Sequence, residues 1–253
     1  MSTIKDKLNF TYNGKSSTSF NVTQVSLDNG MFEETLVATR TIKEENLIDR
    51  KRSLFSGLEK ENLEFTITLA FNKGFTDTLI DSVIDWLFGV EYYSPLIFSE
   101  TNRIYYCLPN GDSNIVHTGT GQGYITLNMR TNSPYVYGAM VTKTITTTTE
   151  SSLAIINDGL TNPEAIIEIT PSANGSVSLT MNNYTVQINN LKNGEVVKIY
   201  PQDEDIVSSL DNVYHYSDYM GDLSKLFLKN GNNTFKVTGK AKVNYIYQPM
   251  YNK

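Results

Sequence analysis

Glu64-Phe65-Thr66-Ile67-Thr68-Leu69-Ala70-Phe71 places its apolar residues at the odd positions and mostly polar ones between them, a period of two that puts Phe65, Ile67, Leu69 and Phe71 on one face of a half-buried strand. The same alternation returns in Tyr124 to Met129, Ile167-Glu168-Ile169, Val177 to Met181, Val186-Gln187-Ile188 and Val243 to Tyr247. Asn-Gly pairs punctuate the chain at 13–14, 29–30, 110–111, 174–175, 193–194 and 230–231, and this dipeptide suits tight hairpins because both residues accept positive φ. Many short strands with recurrent turns predict sandwiches or barrels. One stretch departs from the rhythm. From Thr76 to Phe88 the apolar residues Leu79, Ile80, Val83, Ile84, Leu87 and Phe88 follow a helical spacing, with Thr76 or Asp77 placed to cap the start and Gly89 to end it. Asp77, Asp81 and Asp85 recur every four residues and read as the solvated face of that helix.

The chain has 253 residues, enough for one large domain or two ordinary ones. Met140 to Ser152 is rich in threonine and reads as a linker or an extended crossing strand, so the boundary is placed there, giving domains 1–140 and 141–253. Charged residues make up only 19% of the chain and the net charge is −6, which leaves a duplex phosphate backbone few clustered cations to hold and argues against nucleic-acid readout. Cys107 is the single cysteine, so neither an internal disulfide nor a cysteine metal knuckle is available. Met1 to Lys15 has no apolar core of signal-peptide length, and nowhere do 18 apolar residues run together, which predicts a soluble protein made in the cytoplasm with no membrane insertion. Five Asn-x-Ser/Thr sequons, at Asn9, Asn21, Asn174, Asn183 and Asn232, are what so much Asn and Thr produces by chance.

Candidate chemistry is sparse. Nucleophilic catalysis wants a histidine or an equivalent base, and His117 and His215 are the two present, in loop or hairpin contexts without a third metal ligand nearby. They read as ordinary hydrogen-bonded or surface residues. Cys107 sits in the strand-like run Arg103 to Leu108 and reads as a small buried hydrophobe. Thr118-Gly119-Thr120-Gly121-Gln122-Gly123 lacks the following helix that a phosphate loop needs, and is a turn. Asp203-Glu204-Asp205, with Asp211, Asp218 and Asp222 downstream, has no calcium-loop spacing. No catalytic, cofactor or metal residue is assigned. Sixteen tyrosines favour contact surfaces. Because the only tryptophan, Trp86, lies in the first half, sugar stacking in the second would fall to Tyr184, Tyr214, Tyr216 or Tyr219.

Several blocks resemble the siphophage distal tail proteins. Phe10 to Ser17 with Phe20, Leu54 to Gly57, Leu63 to Phe71 and Ile84 to Phe88 are similar to the first half of that family. So, most specifically, are Tyr93 to Phe98, Asn102 to Tyr106, His117 to Tyr124 and Ser133 to Tyr137. The second half is similar more loosely, through Asn157 to Leu160, Ile167 to Thr170, Leu191 to Val197 and Gly231 to Gly239. The resemblance implies a mainly β protein, an N-terminal sandwich-like domain with one short helix followed by a galectin-like β-sandwich. It further implies a non-enzymatic virion component at the distal end of the tail, a homohexameric ring around the DNA passage that joins the tail tube protein to tail-tip or tail-associated lysin proteins and to receptor-binding proteins. No cofactor goes with it, and no sugar-site motif accompanies the galectin-like fold. Two other classes stay open on the residues alone: a carbohydrate-binding or cell-wall adhesin module using Tyr214 or Tyr216, and a carbohydrate-active enzyme using a carboxylate pair such as Glu168 and Asp205.

Overall fold

The Glu64–Phe71 strand lies antiparallel to Gly123–Thr131 with Phe65 opposite Met129, Ile67 opposite Leu127 and Leu69 opposite Ile125, so the apolar sets of both strands share one face. Ile67, Leu69, Leu127 and Met129 are all buried, each contributing on the order of 1.5–3 kcal/mol by leaving water. The other face pairs Thr66 with Asn128, whose side chains hydrogen-bond at 2.9 Å. A slip of one residue would carry every apolar side chain to the polar face, which pins the register.

This computed structural model describes residues 7–26, 37–48, 51–72, 74, 76–99, 101–117 and 122–253. The expected turn at Asn29-Gly30 and the run 118–121 lie outside the described residues. Two compact units divide the chain, Met1–Tyr137 with Asn252–Lys253, and Gly138–Tyr251. The division thus falls slightly before the Met140 boundary read from the sequence, and the last two residues belong to the first unit.

In the first unit one antiparallel sheet runs in the order Lys7–Leu8, Val22–Val25, Glu64–Phe71, Gly123–Thr131, Ile104–Pro109, Ser94–Phe98, Phe10–Tyr12 and Lys15–Ser16, with Asn114–His117 paired onto Gly123–Thr131. Asn13-Gly14 turns the hairpin between Phe10–Tyr12 and Lys15–Ser16, both residues at positive φ. The helix Asp77–Phe88 starts where Thr76 Oγ1 accepts the Leu79 N–H at 3.3 Å. Its inward face is Val83, Trp86 and Leu87, whereas Ile84 and Phe88 are 47% and 40% exposed. Both belong to the helical apolar spacing of the sequence. Trp86 takes their place because it stacks between Phe20, 4.2 Å away at 2°, and Phe10, 5.6 Å away at 14°, and its Nε1–H donates to the Tyr12 carbonyl at 3.0 Å. Gly89 ends the helix at φ −72° rather than in a left-handed cap.

The second unit is a β-sandwich of two five-stranded antiparallel sheets. One runs Val141–Thr147, Ala241–Tyr247, Ala165–Pro171, Val197–Tyr200, Asp205–Ser208, and the other Glu150–Asn157, Gly231–Thr238, Gly175–Met181, Tyr184–Leu191, Tyr219–Met220. The threonine-rich stretch is therefore no linker. It forms Val141–Thr147, the first strand of one sheet, and runs into Glu150–Asn157, the first of the other; Thr fits in Val141–Thr147 because its branched Cβ suits a half-buried pleat. Inward residues of both sheets make one core, joined across by Phe235 and Tyr245, edge to face at 5.3 Å. Buried Asn233 ties loop to sheet: its side-chain N–H groups donate to Lys229 and Gly231 carbonyls at 2.9 and 3.0 Å, and its Oδ1 accepts the Lys229 N–H at 2.9 Å.

Candidate assembly surfaces

Among the described residues of the first unit, none covers the hairpin made by Arg40–Glu45 and Leu54–Lys60, whose residues are nearly all exposed. Ile42 faces Leu58 and Glu44 faces Phe55, with a bulge between them. Without the extra residue Phe55 would point away from Leu58. The bulge returns it to the same side, and the Ser56 hydroxyl holds the kink by donating to the Lys43 carbonyl at 2.9 Å. Ile42, Phe55 and Leu58, 61%, 65% and 44% exposed, thus form one apolar cluster, beside Glu44 on the same face, on an arm that is two strands thick. The opposite face carries the Lys43–Glu59 ion pair at 2.7 Å. At the base of the arm, Glu61 N–H donates to the Thr39 carbonyl at 3.0 Å, and Lys60 Nζ donates to Asn252 Oδ1 at 2.8 Å while lying 4.9 Å from the Tyr135 ring centre. A polar groove of about 370 Å³ beside the base is lined by Thr39, Glu59, Glu61, Glu64 and Arg130 among others. A two-stranded hairpin with an apolar face is marginal alone in water, and an exposed apolar cluster of this kind marks a contact surface.

Asn114–His117 is exposed along its whole length and its described ladder is with Gly123–Thr126. Ile115 and Val116 stand out on its two faces. Lys7–Leu8 lies at a different edge of the same sheet, beyond Val22–Val25. Such edges accept another strand through their backbone N–H and C=O groups.

The residues weighed for chemistry are placed as follows. Cys107 is fully buried and free, and burial pushes its thiol up to about 12, which keeps it protonated and unreactive. His117 ends the exposed Asn114–His117 strand. His215 is buried in the second unit, its Nε2 2.7 Å from Glu195 Oε1 and its Nδ1 3.0 Å from Asp218 Oδ2. Ser208 Oγ donates to the same Glu195 oxygen at 2.5 Å, and the Lys192 N–H donates to the other at 2.9 Å. Burial alone would raise the Glu195 carboxyl, but the hydrogen bonds from Ser208, His215 and Lys192 outweigh it and hold it below the ordinary carboxylate value. Asp218 is held down by the amide of Asn190 and by His215. Serine, imidazole and carboxylates therefore meet, yet as a structural pin: the serine is bonded to the carboxylate rather than to a ring nitrogen, and both ring nitrogens are taken. No spacing in the sequence disclosed this cluster. Glu168 and Asp205 are not a facing pair. Strand Val197–Tyr200 runs between theirs, Glu168 is bonded to Lys198 at 3.3 Å, and Asp205 accepts from Tyr216 at 3.1 Å. Among the described residues no three His, Cys, Asp or Glu side chains are grouped to hold a metal, and no helix is long and apolar enough to cross a membrane.

The described residues form two mainly β units, the first with an exposed apolar arm, and family comparison says which class of protein they make. Residues 5–133 match a family described as the phage tail protein N-terminal domain, and residues 135–247 match the phage tail C-terminal domain. The chain belongs to this family of phage tail proteins. An uncharacterised SPbeta prophage-derived protein of Bacillus subtilis strain 168, YomH, is 24% identical over 254 residues, covering 98% of this chain and 99% of that one. The Dit (gp 19.1) protein of phage SPP1, described as a paradigm of the hub adsorption apparatus in phages infecting Gram-positive bacteria, has the same fold, with a TM-score of 0.68 over 95% of this chain and 98% of its own at 17% identity. A chain of the phage P2 baseplate in its activated conformation with Ca follows at a TM-score of 0.53 and 8% identity, covering 95% of this chain and 98% of its own.

Proposed function

We propose that this phage tail protein is the structural hub of the tail tip, a homohexameric ring around the DNA passage that joins the tail tube to the tip or baseplate and receptor-binding proteins. The observation that carries the reading is the arm: three large apolar side chains on one face of a protruding hairpin need a partner surface, and a ring supplies one. A closed ring with head-to-tail contacts requires two different, mutually complementary patches on each subunit. The first unit offers the arm on one hand and the exposed strand Asn114–Val116 and the sheet edge Lys7–Leu8 on the other. The likeness in fold to the SPP1 hub and to the baseplate chain supports the placement at the distal end of the tail. A net charge of −6 suits a passage that must not retain DNA. The second unit, a galectin-like sandwich in this reading, serves as a platform for peripheral tail proteins.

Native mass spectrometry of the purified chain tests it. The expected species is six times the 28.4 kDa subunit, and Ile42→Asp with Phe55→Asp dissolves it to monomers whose circular dichroism is unchanged, because both side chains are exposed in the isolated subunit. A wild-type chain that stays monomeric at high concentration, and is absent from tail tips labelled for electron microscopy, overturns the reading.

A further inference from the structure

Residues 209–218 of the second unit leave the edge strand Asp205–Ser208 of one sheet and lead into the edge strand Tyr219–Met220 of the other, forming a strap. Its centre alternates sharply: Tyr214 is 70% exposed, His215 1% and Tyr216 60%. The inward histidine is pinned on both ring nitrogens by Glu195 and Asp218, and the carbonyl of Asp218 accepts the Asn189 N–H at 2.9 Å. The two outward rings lie 6.4 Å apart within 13° of parallel. Tyr216 is further fixed because its hydroxyl donates to Asp205 Oδ1 at 3.1 Å, and the bond and the carboxylate charge push the pKa of that hydroxyl above the ordinary tyrosine value, so the ring stays a neutral phenol whose electron density the bonded carboxylate enriches. Val207, two residues on from Asp205 along the same outward face of the edge strand, is also exposed. Tyr214, Tyr216, Asp205 and Val207 are therefore contiguous, and buried hydrogen bonds hold their backbone still. An immobile aromatic pair loses little entropy on binding.

The charge around it selects the occupant. From Pro201 to Ser224 there are six carboxylates, at 203, 204, 205, 211, 218 and 222, and no lysine or arginine; of the cations nearby, Lys198, opposite Val207, is paired with Glu168 at 3.3 Å and Lys225 with Asp222 at 3.9 Å. Electron-rich ring faces beside carboxylates attract cations twice over, by the ring quadrupole and by ion pairing, and repel a polyanion. We infer that Tyr214, Tyr216 and Asp205 form a docking site for a lysine- or arginine-bearing segment of a partner polypeptide. The site lies wholly in the second unit and does not depend on ring formation by the first.

Fluorescence anisotropy with the full chain tests it, using a labelled peptide of four Lys-Gly repeats, the matching Glu-Gly peptide, and labelled maltoheptaose as a neutral sugar. The expected result is saturable binding of the Lys-Gly peptide alone, weakened about 3- to 10-fold by Tyr214→Ala or Tyr216→Ala and largely retained in Tyr214→Phe, which keeps the ring. Both alanine variants leave the net charge untouched, so binding that ignores them is nonspecific attraction to an acidic protein and overturns the inference. Absence of binding overturns it as well, as does binding of maltoheptaose that is lost in the tyrosine variants, which would make the pair a sugar platform. Should Tyr216→Ala lower the melting temperature through loss of the Asp205 bond, Tyr214→Ala, whose ring makes no hydrogen bond in the structure, gives the reading by itself.

Discussion

Replacing Trp86 by alanine removes the pin that joins helix Asp77–Phe88 to the sheet. The side chain is 2% exposed, so its deletion costs about 3–5 kcal/mol in lost transfer and cavity. It is also held by two stacked partners, Phe20 and Phe10, and an edge contact with Tyr12, and aromatic pairs of this kind are worth about 0.5–1.5 kcal/mol each beyond their area. Part of that is already within the first figure, so about 5 kcal/mol is the expected loss, a large fraction of the roughly 5–15 kcal/mol that holds a domain together. Trp86→Phe keeps one ring in the stack and forfeits the Nε1–H bond to the Tyr12 carbonyl, for about 1–2 kcal/mol. Because Trp86 is the only tryptophan, fluorescence is lost with it, and urea unfolding is followed by far-ultraviolet circular dichroism. With a slope of about 2 kcal/mol/M, the transition of the first unit moves down by about 2.5 M in the alanine variant and by about 0.5–1 M in the phenylalanine variant. The transition of the second unit stays in place. A first-unit shift below about 0.5 M for Trp86→Ala would refute the claim that this ring clamps the helix.

The second unit is expected to fail in acid. The Glu195 and Asp218 carboxyls are held below their ordinary values, so the stability they contribute is fully present above about pH 5 and drains as pH falls through the range where unfolded carboxylates protonate, near 4, and on through the lowered native values. Thermal melts at pH 7, 5, 4 and 3 show this as a falling midpoint for the second unit, flattened in Glu195→Gln. A midpoint in the wild type that ignores pH removes the pin from the account of stability. His215→Ala leaves Glu195 buried without its ring partner and costs the second unit about 3–5 kcal/mol, read as an early transition in urea. Asn233→Ala strands the carbonyls and the N–H that its amide satisfies, and about 2 kcal/mol is expected from the same experiment.

Local chemistry settled a large part of this molecule. The period-two runs, the Asn13-Gly14 turn and the Thr76-capped helix follow from backbone geometry and the few residues that tolerate special φ or supply a cap, so they are visible in adjacent residues. The family resemblance was legible for the same reason, in blocks such as Tyr93 to Phe98 that keep their own order and spacing. What adjacent residues do not carry is which strand lies beside which. The bulge that sets Phe55 next to Leu58 depends on register against Arg40–Glu45. The choice of Trp86 over Ile84 and Phe88 as the inward residue depends on Phe10 and Phe20 arriving from far up the chain. The bonds that hold His215 form only when the fold brings Glu195, itself bonded by Ser208, to one side of its ring and Asp218 to the other. Sequence by itself determined the elements and the family. Tertiary structure decided which side chains are left without a partner, because exposure is a property of the whole packed chain and of no stretch within it.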